Sequence, residues 1–117
     1  MNFRSGLEQR FSQYLDKKNV PYLFEVEKFE YQTTSKYTPD FFLKNGVIIE
    51  CKGFFKPSDR RKHLAIKEQH PELDIRFVFQ RNNTLTRTSK TTYGSWADRH
   101  GFKWCIFPNI PEDWLNE

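Results

Sequence analysis

Apolar residues near the start of the chain recur at helical spacing. Leu7, Phe11, Tyr14 and Leu15 fall on one side of a helix over residues 5–18. Ser5 is placed to cap it, and Ser5-x-x-Glu8 matches a capping box. The pattern then changes to near-alternation: Val20, Tyr22, Phe24 and Val26 against Glu25 and Glu27 predict an extended strand from Val20 to Tyr31. Thr33-Thr34-Ser35 is a polar break.

Phe41-Phe42-Leu43 and Val47-Ile48-Ile49 flank Lys44-Asn45-Gly46, a hairpin signal. Two loops satisfy it. A two-residue loop pairs position 44 with 47 and sets Asp40 opposite Cys51. A three-residue loop, with Gly46 left-handed in a bulge, pairs 43 with 47 and therefore Asp40 with Glu50. Pro57-Ser58-Asp59 opens a second helix running to about His70, stopped by Pro71. Asp74 to Phe79 predicts another strand, and Ser89 to His100 a third helix with Tyr93, Trp96 and Ala97 inward and Gly101 just past its end. Phe102 to Phe107 is a last short strand and Ile110 to Leu115 a terminal helical turn. The order α-β-β-β-α-β-α-β, without repeat or linker, predicts one α/β domain with a central mixed sheet flanked by helices.

Composition and segment character add four things. Twelve Phe, with aromatics at 17%, predict a core built from rings. Nineteen Lys and Arg against 15 Asp and Glu give a net charge of +4, compatible with a polyanion partner without requiring one. The start, Met1 to Glu8, lacks the apolar run of a signal peptide, and no segment suits a membrane span. Cys51 and Cys105 are too few for a disulfide framework and have no metal-ligand spacing, so they read as reduced thiols in a cytoplasmic protein.

The chemistry concentrates at Asp40, Glu50 and Lys52. Strand side chains alternate, so Glu50 and Lys52 share a face at the end of an apolar run. A site built on all three therefore predicts the bulged loop, in which Asp40 faces the same side as Glu50. Two carboxylates beside a lysine suit a divalent cation and an activated water, which is nuclease chemistry. Taken singly, Asp40 is equally a turn residue after Pro39, and Glu50 with Lys52 an exposed ion pair worth under ~1 kcal/mol. Jointly those readings weaken, because the strand before Glu50 is wholly apolar and interior in character. Cys51 must face the other side, although its carbonyl could ligate a metal. Glu8 either closes the capping box or presents a third carboxylate.

Lys56, Arg60, Arg61, Lys62 and His63 crowd the first turns of the second helix, where cations oppose the macrodipole. Either phosphate binds there, or Asp59 offsets the dipole and the run serves solubility. Arg81, Arg87 and Lys90, among many Thr and Ser, form a loop that tracks a DNA backbone or is merely flexible.

The stretches Phe3-Arg4-Ser5-Gly6-Leu7-Glu8, Tyr37-Thr38-Pro39-Asp40-Phe41, Glu50-Cys51-Lys52-Gly53, Asp59 to Leu64 and Glu68 to Arg76 resemble, in order, the endonuclease I family of T-odd bacteriophages. That family comprises Holliday-junction resolvases of the PD-(D/E)xK nuclease superfamily. The resemblance implies a restriction-endonuclease-like core and Mg²⁺ or Mn²⁺ held by Asp40, Glu50 and the Cys51 carbonyl. Lys52 would act on the attacking water, and Glu8 would complete a second metal position. It further implies a homodimer exchanging its first helix and strand, with residues 1–19 as first helix, 20–36 as bridge and 37–117 as catalytic core. Against the phage enzyme, the bridge is shorter and basic tails are missing, from which weaker non-specific DNA binding with flatter salt dependence is expected. Rival expectations are a nicking or restriction-like endonuclease on duplex DNA and a non-catalytic junction-binding protein.

Overall fold

The computed structural model describes residues 3–30 and 35–116. Helix α1 (Gly6–Lys17) turns Leu7, Phe11 and Leu15 inward, and Ser5 caps it by accepting the Glu8 N–H at 3.1 Å. The chain leaves α1 through Asn19 at φ +57. Asparagine is one of the few side chains that tolerates this. Next come β1 (Tyr22–Phe24), β2 (Phe29–Glu30), β3 (Lys36–Tyr37), β4 (Phe41–Leu43) and β5 (Val47–Lys52). They are followed by α2 (Pro57–Gln69), β6 (Asp74–Phe79), α3 (Tyr93–Arg99), β7 (Lys103–Ile106) and α4 (Asp113–Asn116).

The main sheet has the order β1-β4-β5-β6-β7. β1, β4 and β5 pair antiparallel, while β5, β6 and β7 pair parallel through the crossovers α2 and α3. This is the mixed sheet the pattern predicted. Because β5 and β6 are central, both their faces are covered and nearly every residue is buried. Leu7, Phe11, Phe41, Ile49 and Trp114 pack on one side of the sheet. Tyr37, Ile48, Phe55, Phe77 and Trp96 pack on the other. Rings dominate both layers: Phe41 lies 5.1 Å from Phe11 and Phe24, and Phe77 lies 5.1 Å from Phe55 and Phe102.

Two predicted elements differ from the pattern. The expected strand from Val20 breaks after Phe24, because Glu25 adopts φ +55 and the chain leaves the main sheet. It resumes as β2, paired with β3 in a separate two-stranded sheet; Tyr31, Thr33 and Thr34 lie outside the described residues. Helix α3 starts at Tyr93 rather than Ser89. A Thr84–Thr92 bridge and the Tyr93 N–H to Asn83 carbonyl bond use the preceding backbone, and Thr92 caps the helix. The loop before it is ordered by these bonds, and its Leu85 packs on the core. Gly94 is dictated by packing, since a Cβ there would lie 2.3 Å from the Trp104 ring.

Candidate active site

The β4–β5 hairpin sets the site. Phe41 pairs with Ile49 and Phe42 with Ile48, so the register carries Leu43 onto Val47 and Asp40 onto Glu50. This is the three-residue bulged loop: Gly46 has φ +89 and its N–H donates to the Leu43 carbonyl at 2.9 Å. Asn45 fixes the turn by accepting from the Val47 N–H and donating to the Trp114 carbonyl.

Glu50 is 2% exposed and fully engaged on one oxygen. Its Oε2 accepts the Tyr37 hydroxyl and the Asp40 N–H, each at 2.9 Å. Its Oε1 lies 3.5 Å from Lys52 Nζ and 3.5 Å from His63 Nε2. Burial pushes this carboxyl up, but the His63 contact, the Lys52 charge and the Asp40 N–H outweigh it and leave it at about 2. Burial drives His63 down, so at neutral pH its imidazole is uncharged and Lys52 is the cation that matters. Asp40 goes the other way: burial and the Glu50 charge hold its carboxyl well above the usual range. Its Oδ2 accepts the Cys51 N–H at 2.9 Å. Lys52 stays cationic, since Glu50, Asp40 and Asp59 together outweigh its burial.

Glu8 fits both sequence readings in part. Ser5 does cap the Glu8 N–H, but the Glu8 carboxylate accepts from the Arg4 N–H at 2.8 Å instead of closing the box on Ser5. It is buried, and it faces Asp40 of the same chain across the Arg4 guanidinium. Arg4 Nη2 lies 2.6 Å from Glu25, 3.0 Å from Asp40 and 3.6 Å from Glu8. The oxygens of Glu8, Glu25 and Asp40 fall within 4.8 Å of one another. Three carboxylates therefore converge on one cationic group.

A divalent cation fits this donor set. Two buried carboxyls whose charges oppose each other ionise together only when a strong positive charge joins them, and a guanidinium already sits where such charge is needed. Glu50 stands behind Asp40, outside the group of three, with Oε1 as its less occupied oxygen. Burial and the acidic neighbours push the Cys51 thiol well up, and its side chain packs on the far face, so it offers no thiolate.

The phage endonuclease I family model matches residues 1–117. The chain belongs to that family. It is 44% identical over 119 aligned positions to Endonuclease I of Escherichia phage T7, covering 98% of this chain and 79% of that protein. It is 47% identical over 103 positions to Endodeoxyribonuclease 1 of Enterobacteria phage T3, covering 85% and 68% respectively.

The basic residues of this family member divide by position. Lys56 and Lys62 line a cleft of about 370 Å³ with Arg4, Asp40 and Lys52. Lys62 also lies over the Tyr37 ring, 5.5 Å from its centroid. Arg61 is exposed, while Arg60 is half-buried and donates to the Phe55 carbonyl at 2.8 Å. His63 does not suit a phosphate contact: it is 0% exposed and packs against Tyr37 and Phe77 behind Glu50. Arg81, Arg87 and Lys90 are exposed on the loop before α3. Three site residues carried no assignment in the sequence. Arg4 and Tyr37 stand inside the motif stretches and gave no chemical signal of their own. Glu25 looked like the polar side of a strand, and only the backbone turn at φ +55 brings it here.

Proposed function

We propose that this chain is a metal-dependent endodeoxyribonuclease that hydrolyses phosphodiesters in branched DNA such as four-way junctions. One observation carries the reading: Glu50 and Lys52 close an apolar strand with Asp40 held opposite Glu50 by the bulged turn, in a chain of the phage endonuclease I family. Asp40, Glu50 through Oε1, Glu8 and the Cys51 carbonyl would hold Mg²⁺ or Mn²⁺. Such an ion supplies Lewis-acid polarisation of the phosphate and of its attacking water. Lys52, charged and 3.5 Å from Glu50, orients that water and faces charge developing on the phosphate. It is a donor in this scheme, not a base. Tyr37 fixes the rotamer of Glu50 so that Oε1 remains available. The water oxygen bonds to phosphorus in line as the bond to the 3′ oxygen breaks; the water gives up a proton to solvent and the departing 3′ oxygen takes one from solvent, leaving a 5′-phosphate and a 3′-hydroxyl.

Two copies acting together would cut two strands of one junction, with segment 20–36 as the bridge between them and Glu8 serving the Asp40 of its own chain. The basic cleft and the loop carrying Arg81, Arg87 and Lys90 would follow backbone phosphates. Host-cell cytoplasm would be the working compartment; no helix among the described residues is long and apolar enough to cross a membrane.

Incubating the protein with a labelled four-way junction and its matched linear duplex, in Mn²⁺, Mg²⁺ or EDTA, tests this. Metal-dependent cleavage of the junction over the duplex is expected, lost in Glu50→Ala and Lys52→Ala while junction binding persists. Equal cutting of both DNAs would mark a duplex or nicking enzyme, and unchanged cleavage in either variant removes the mechanism. Light scattering on the same preparation should give twice the chain mass.

A further inference from the structure

Among the described residues, Leu23, Val26 and Phe54 are large apolar side chains left exposed, and Phe54 is the most exposed at 65%. Single exposed apolar residues are ordinary on protein surfaces, but the placement of Phe54 is not. It lies two residues beyond Lys52 and lines the cleft that also contains Asp40, Lys56 and Lys62. Its backbone is pinned on both sides. The Gln80 N–H donates to the Lys52 carbonyl at 3.1 Å, and Arg60 donates to the Phe55 carbonyl at 2.8 Å. Phe55 is fully buried, 4.9 Å from Trp96 and 5.1 Å from Phe77. Phe54 itself has no ring partner among the described residues. A rigid strand end thus holds an uncovered ring beside the catalytic carboxylates, between cations.

We propose that Phe54 is a specificity-determining residue: its ring stacks on a nucleobase laid open beside the scissile phosphate of branched DNA. The neighbouring chemistry selects this occupant. Lys56 and Lys62 suit the phosphates of the same strand, and an aromatic face accepts any base. In continuous duplex the bases cover one another and offer the ring no face. At a branch point stacking is interrupted, so Phe54 discriminates by structure without reading sequence. The inference rests on the junction reading above and deepens it.

The test uses four-way junctions carrying 2-aminopurine beside the branch point, with binding measured in EDTA so that no strand is cut. Wild-type protein is expected to quench the probe and to prefer the junction over linear duplex. Phe54→Ala should lose the quenching and bind the junction roughly tenfold more weakly, with duplex binding little changed. Phe54→Trp should retain both. If wild type prefers the junction and Phe54→Ala prefers it equally, the inference fails alone. If wild type shows no preference, the junction reading fails and takes the inference with it. If Phe54→Ala instead lowers the mass by light scattering and weakens both DNAs equally, the ring belongs to a contact between copies and the inference is overturned.

Discussion

Arg4 holds the most consequential position at the scale of single residues. Its guanidinium is the counter-charge for Glu8, Glu25 and Asp40, so the proposed divalent ion would compete with Arg4 for the same oxygens. Arg4→Gln should bind Mn²⁺ at least about fivefold more tightly, the low end of ordinary coupling between sites. The same variant should melt lower in EDTA, where three carboxylates are left to repel one another. Calorimetry and a melting curve check the two halves. Asp40 adds a proton linkage. Its carboxyl is held well above the usual range by burial and by Glu50, so below that raised value the group is protonated and an incoming cation must expel the proton. Mn²⁺ affinity should therefore rise with pH, with proton release visible as a dependence of the binding heat on buffer ionisation enthalpy. A binding heat independent of buffer would contradict the assignment.

Among the elements, the β4–β5 hairpin decides whether there is a site at all, because a one-residue slip turns Glu50 away from Asp40. Gly46 at φ +89 is its control point. Gly46→Ala should destabilise the fold by about 1 kcal/mol, read from urea unfolding. Deleting Asn45 should abolish Mn²⁺ binding while the helical signal in circular dichroism persists. This hairpin was legible in sequence because Asn45-Gly46 sits between two apolar runs, and the demand that Asp40 meet Glu50 chose between two loop lengths. Helix α2 was equally legible from Pro57 and Pro71. Neither the break at Glu25 nor the late start of α3 was. Both follow from tertiary demands, an ion pair with Arg4 in one case and a bridge between Thr84 and Thr92 in the other, and hydrophobic period carries no trace of either. His63 misled for the same reason. Its setting in a basic helical turn suggested solvent, whereas the helix rotates it onto Tyr37 and Phe77.

Across the whole molecule, which carries a net charge of +4, Lys52, Phe54, Lys56 and Lys62 line one cleft with the buried Glu8 and Asp40. Neutralising Arg81, Arg87 and Lys90 one at a time should flatten the slope of log affinity against log salt by about one each if that loop follows phosphates. The effect should be equal on junction and duplex. A fall confined to one DNA would instead assign the loop to structure recognition. The acidic centre is the feature on which the proposed mechanism stands, and anomalous diffraction at the manganese edge from a crystal soaked in Mn²⁺ addresses it without recourse to activity. A peak about 2.1 Å from a carboxylate oxygen of Asp40 and from Glu50 Oε1, with Arg4 withdrawn, is the expected result. No peak there, with the guanidinium still seated among Glu8, Glu25 and Asp40, would show that these carboxylates serve Arg4 and not a catalytic ion.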